Sequence, residues 1–103
     1  MNNKTQVRII RKEFEDENQR EKLYFQNIND NKYYAISKIC LDYFDQTTFE
    51  YMLCSFNFEN NNFIFKECFE GVMLRSSYDD TYKALKELGF EDITKTINKI
   101  KDF

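Results

Sequence analysis

The chain has 103 residues, with 15 Lys and Arg against 18 Asp and Glu and a net charge of −3, which is the size of one compact domain. Hydrophobic residues make up 42% and aromatics 17%, with 2 Gly and no Pro. That much apolar surface offsets ordering entropy and excludes disordered, collagen-like, linker-like and coiled-coil chains.

Residues 1–20 fit two patterns. Val7 and Ile9 alternate as in a strand, whereas Val7, Ile10 and Phe14 fit a helix face built from good helix formers. The strand is preferred because it can pair with the next run, and Glu13–Lys22 then forms a charged turn. Lys22–Ile28 and Tyr33–Leu41 alternate around Asn29-Asp30-Asn31-Lys32, whose Asn and Asp tolerate left-handed backbone. They form a hairpin, with Leu23 and Phe25 on one face beside Tyr34 and Ile36. Thr48–Phe56 and Phe63–Glu70 form a second hairpin around Glu59-Asn60-Asn61-Asn62. Phe49, Tyr51 and Leu53 share one side of its first strand, and Phe63, Phe65 and Phe69 one side of its second. Both sets are expected on one sheet face, since each fully buried large apolar side chain contributes about 1.5–3 kcal/mol.

After Gly71 the period changes. Ser76-Ser77 precedes Tyr78, and Asp79 and Asp80 sit where carboxylates complement the positive end of a helix. Tyr78, Tyr82, Leu85 and Leu88 make one helical stripe, closed by Gly89 as left-handed cap with Phe90 packing back on the last turn. Ile93, Ile97 and Ile100 mark a shorter helix from Asp92 to Lys101. The expected fold is a single α+β domain over residues 1–103. It has an antiparallel sheet of four to five strands, a meander of hairpins, with one or two C-terminal helices packed on one face.

No apolar run approaches the ~20 residues that cross a bilayer, and Met1–Lys12 lacks the continuous apolar core of a signal peptide. A cytoplasmic protein without membrane contact is expected. Cys40, Cys54 and Cys68 agree: their number is odd, they form no Cys-x-x-Cys pair, and no His completes a zinc site. They read as reduced, buried thiols. Their fourteen-residue recurrence matches a meander of similar strands and turns. Asn, Lys, Ile, Phe and Tyr dominate, all with A/T-rich codons, which points to a low-GC bacterium, a phage or a mobile element.

Catalytic equipment is sparse. Without His there is no Ser-His or Cys-His nucleophile, and two Gly 18 residues apart cannot cradle a phosphate. The acidic pairs Asp42 with Asp45, Glu67 with Glu70 and Asp79 with Asp80 read as capping or solvated groups, and no catalytic residue, metal or cofactor is expected. Cys54 and Cys68 lie inside expected strands, where burial keeps thiols inert.

Charge is uneven. Residues 1–12 carry +4, while residues 42–80 carry −6. The first functional expectation is therefore a non-catalytic module whose acidic sheet edge, bearing aromatics, docks on a basic partner protein. Glu50, Glu59, Glu67, Glu70, Asp79 and Asp80 would form that surface. Small acidic inhibitors of nucleic-acid enzymes made by phages and mobile elements, and immunity proteins against nuclease toxins, offer an analogy of class. The alternative is single-stranded nucleic acid, with Tyr24, Tyr33 and Tyr34 stacking bases and Arg8, Arg11, Lys32 and Lys38 near phosphates. The acidic balance opposes it. An uncovered sheet edge also leaves a homodimer open.

Overall fold

Period-two alternation becomes extended backbone along most of the chain. A computed structural model describes residues 5–15, 20–40, 49–76 and 80–101. The strands are β1 (Thr5–Glu15), β2 (Arg20–Asn27), β3 (Tyr33–Cys40), β4 (Phe49–Glu59), β5 (Asn62–Ser76) and β6 (Phe90–Asp92). Helix α1 (Thr81–Glu87) lies between β5 and β6, and α2 (Thr94–Lys101) ends the described chain. Among the described residues the strands form one sheet in the order β5-β4-β3-β2-β1-β6.

The α+β class and the hairpin meander agree with the sequence, and the N-terminal segment is the strand, paired antiparallel to β2. Five strands form the expected antiparallel meander, and one short strand is added to it. Phe90, expected to fold back on the helix, instead opens a sixth strand that pairs in parallel with β1 through Thr5↔Phe90 and Val7↔Asp92. The chain thus leaves the β5 edge, crosses the sheet in α1 and returns at the opposite edge.

Turn chemistry sets the hairpins. Asn31 is left-handed at φ 59°, Asn27 accepts from the Asn29 N–H at 2.8 Å, and Asp30 accepts from the Lys32 N–H at 2.8 Å. At the β4–β5 turn Asn60 and Asn61 both have positive φ, 53° and 64°. That is the type I′ geometry whose twist matches the flanking strands.

One face of the sheet is sealed. Val7, Leu23, Phe25, Ile36, Phe49, Tyr51 and Leu53 pack with Ala84 and Leu85 of α1 in one core. Thr81, the first helical residue, ties α1 to this face. Its hydroxyl donates to the Glu21 carboxylate at 2.6 Å, and Lys12 and Lys38 approach the same carboxylate at 2.7 and 3.3 Å. Burial alone would raise the Glu21 carboxyl. Hydrogen bonds from Lys12 and Thr81 and the charges of Lys38 and Lys12 outweigh it and hold the carboxyl below its ordinary value.

The helix starts later than the stripe implies. Asp80 is its N-cap, accepting from the Tyr82 N–H at 2.9 Å, and β5 continues through Gly71 to Ser76. Tyr78 lies outside the described residues, and Tyr82 is exposed, so the buried side of α1 is Thr81, Ala84 and Leu85. Gly89 does take the left-handed C-terminal position, at φ 92°. The second helix begins at Thr94, whose N–H donates to Asp92 at 2.9 Å.

A further correction concerns Phe63 and Phe65. They do not join Phe49, Tyr51 and Leu53 on the sealed face, because the two-residue Asn60–Asn61 turn sets Phe58 opposite Phe63 and Phe56 opposite Phe65. Farther from the turn Ser55 pairs with Glu67, so Lys66 is an extra residue that reverses the parity of Cys68 and Phe69. Phe63 therefore packs with Tyr24, Ala35, Cys54 and Phe56 on the opposite face, while Phe69 packs against the sealed core as expected. A second irregularity sets Leu53 opposite Phe69 to Val72, where Gly71 lies within the strand.

Candidate functional site

The helix-free face and the β5 edge carry the surface chemistry. Alternation places Lys22 and Tyr24 of β2, Tyr33 and Ala35 of β3, and Met52, Cys54, Phe56 and Phe58 of β4 on this face. Tyr24 and Phe63 lie three strands apart, which in a flat sheet means about 14 Å. Their rings are nevertheless stacked with centroids 4.1 Å apart. The β4–β5 hairpin must therefore curl over the face, and small, fully buried Ala35 leaves room for it. Bulges favour such a curl because they strengthen local twist.

Curling builds an aromatic mesh. Phe63 meets Phe56 edge-on at 6.1 Å and Phe58 at 4.7 Å, and Tyr33 lies 5.0 Å from Phe58. The Arg11 guanidinium sits 4.7 Å from the Phe63 centroid and 5.5 Å from that of Tyr24. Such cation–π contacts hold the tip of the hairpin to β1. Beyond the mesh the edge is open, with Phe65 59% and Ile64 47% exposed.

The six acidic residues are strung along the outer hairpin and do not form one cluster. Glu50 lies near one end of β4 and Glu59 at the other, about 30 Å apart at the rise of a strand. Glu67 is exposed beside Ile64 and Phe65 on the edge strand β5, and Glu59 is exposed at the turn end of β4. Asp80 is occupied as the cap of α1. Glu70 lies on β5, and Asp79 lies outside the described residues, as do Asp42 and Asp45.

The tyrosine and basic set divides between the two faces. Tyr24, Tyr33, Arg8 and Arg11 lie on the helix-free side, where Arg8 donates to Gln26 at 2.9 Å and its Nε is buried without a hydrogen-bond partner. Tyr24 is only 5% exposed, and its ring is enclosed by Phe63 and Arg11. Tyr34 and Lys38 face the sealed core. Tyr34 stacks near Phe25 and donates to Asp30 at 2.8 Å, and burial together with the Asp30 hydrogen bond and charge pushes its hydroxyl up to about 12. Lys32 sits at the hairpin end, where a recess of about 280 Å³ gathers it with Tyr33, Phe58, Glu59 and Lys66.

Sequence reasoning missed Phe65 as a surface residue, because it set Phe65 on the sealed face, whereas the turn register pairs Phe65 with Phe56 on the other. It also missed Arg11 as the clamp of the hairpin tip. No group of three or more Cys, Asp or Glu residues that could hold a metal occurs among the described residues, and none of the described helices is long and apolar enough to cross a membrane. No family model, no curated protein and no solved structure matches the chain.

Proposed function

We propose that the chain is a non-catalytic protein-interaction module, a small inhibitor or regulator that docks its β5 edge on a basic partner protein in the cytoplasm. One observation carries this reading: β5 is an edge strand on which Ile64, Phe65 and Glu67 are all exposed, with exposed Glu59 across the turn at the end of β4. An edge strand offers unpaired backbone groups to a partner, aromatic anchors supply the central contact, and carboxylates steer a cationic surface into place. Residues 49–76 carry four acids against Lys66 and Arg75, a balance of −2 that extends this steering along the hairpin.

Affinity capture with the immobilised chain tests the proposal. Proteins with basic surfaces should be retained at about 0.05 M salt and released at about 0.5 M, where surface charge is screened. The double variant Glu59→Lys/Glu67→Lys and the single variant Phe65→Ser should each lose that retention. Equal retention by both folded variants would place the contact elsewhere, and no retention by the parent chain would remove the docking role.

Single-stranded nucleic acid is the second reading, favoured by the placement of Arg8, Arg11, Lys22 and Tyr33 on one helix-free face. Titration with mixed oligonucleotides at about 50 mM salt, where phosphate contacts are strongest, separates the two. Binding abolished by Arg8→Ala/Arg11→Ala and untouched by Phe65→Ser would favour nucleic acid over protein.

A further inference from the structure

Cys54 and Cys68 are fourteen residues apart in sequence, and the turn at Asn60–Asn61 folds that interval back on itself. The two cysteines become directly opposed residues of β4 and β5. Opposed residues in an antiparallel pair hold their Cα atoms about 4.5–5.5 Å apart. A disulfide spans Cα separations of about 4.4–6.8 Å, so closure requires no backbone movement. The Sγ atoms lie 2.7 Å apart and both thiols are free. Cys54 is buried and Cys68 half-buried, and both line a cleft of about 220 Å³ that opens beside Lys22 and exposed Phe65.

We propose that Cys54 and Cys68 are a redox-active dithiol that closes into a cross-strand disulfide by exchange with a small disulfide of the glutathione class. Cys68, the more accessible sulfur, attacks first as its thiolate. A protein–small-molecule S–S bond forms, the S–S bond of the oxidant breaks, and one small thiol leaves carrying the proton that Cys68 gave up. The Cys54 thiol then attacks Cys68 Sγ and expels the second small thiol, which takes up the Cys54 proton. Two protein thiols are oxidised by two electrons, and one small disulfide is reduced to two thiols.

The order of attack follows from the surroundings. Burial, then the hydrogen bond and charge of Cys68, push the Cys54 thiol up to about 12, with Lys22 pulling it down. Cys54 is therefore a poor first nucleophile, and its contact with Cys68 suits it to the second, intramolecular step. The bond lies between the two register irregularities of the β4–β5 pair and would fix their alignment. None of this depends on what the β5 edge binds.

The test equilibrates the reduced full-length chain in glutathione buffers of increasing oxidised fraction, quenches with acid, alkylates, and reads intact mass and peptide links. A single two-electron transition should appear, with a Cys54–Cys68 link and Cys40 alkylated throughout. Closing a loop of this length raises the Tm by roughly 10 °C or more relative to the reduced protein. Cys54→Ser should stop at a stable glutathione adduct on Cys68, and Cys68→Ser should form neither link nor adduct. Cys40→Ser keeps the pair and should titrate as the parent does. Full alkylation of the parent in excess oxidised glutathione would overturn the proposal, as would a lasting glutathione adduct on the parent or a link to Cys40.

Discussion

The two faces of the sheet are both rich in aromatics but are finished differently. Phe25, Phe49 and Tyr51 are sealed under α1, whose Ala84 and Leu85 complete one continuous core. On the other face no described helix closes the cluster of Tyr24, Phe56 and Phe63, which is covered instead by its own curled hairpin, and Phe65 is left in solvent. Aromatic content therefore does not distinguish core from surface in this protein. What distinguishes them is whether a helix returns across the face, and among the described residues α1 does so on the sealed side.

Substitution on the two faces breaks the comparison most sharply. Phe25→Ala opens a cavity in a fully buried site and should cost about 4 kcal/mol in urea unfolding. Phe65→Ala removes a ring that is 59% exposed and should change stability by no more than about 0.5 kcal/mol. Comparable losses at both sites would mean that the outer ring is buried after all.

The buried ion cluster that pins α1 comes next. Glu21→Gln removes the buried carboxylate charge that Lys12 and Lys38 share, at a site only 6% exposed, and should cost about 3 kcal/mol. Because the folded carboxyl lies below its ordinary value, its contribution is fully present above that value. It is lost as pH falls through the lower folded value. Acid unfolding of the parent should therefore be steeper than that of Glu21→Gln, and the two curves should converge at low pH. The cap gives the smallest effect: Asp80→Ala should cost about 1 kcal/mol in the same assay, with amide exchange increased in α1 ahead of the strands.

Much of the sealed half was legible in the chain. Strand alternation placed Leu23 and Phe25 beside Tyr34 and Ile36, Asn pairs marked the turns, and Asp80 and Gly89 bounded α1, because each of these signals is local. The outer half was less legible. The turn register set Phe63 and Phe65 opposite Phe58 and Phe56, and the extra residue at Lys66 parted them from Phe69, a bulge that leaves no mark in hydrophobic periodicity. The link from Thr81 to Glu21 spans 60 residues, and the three residues of β6 are too few to show a period. For the cysteines a signal did exist. The recognised hairpin brought Cys54 and Cys68 to within one residue of register, and the extra residue at Lys66 sets them directly opposite each other. For the candidate surface, the acidic residues were visible as charge, whereas the exposed Phe65 among them was assigned to the core.

Solvent paramagnetic relaxation on phenylalanine-labelled protein, with a neutral gadolinium chelate as probe, tests the central claim most directly. Phe65 should relax strongly while Phe25 and Phe49 remain protected. Protection of Phe65 equal to theirs, in dilute protein without a partner, would show that the outer edge is already closed and would contradict a docking strand there.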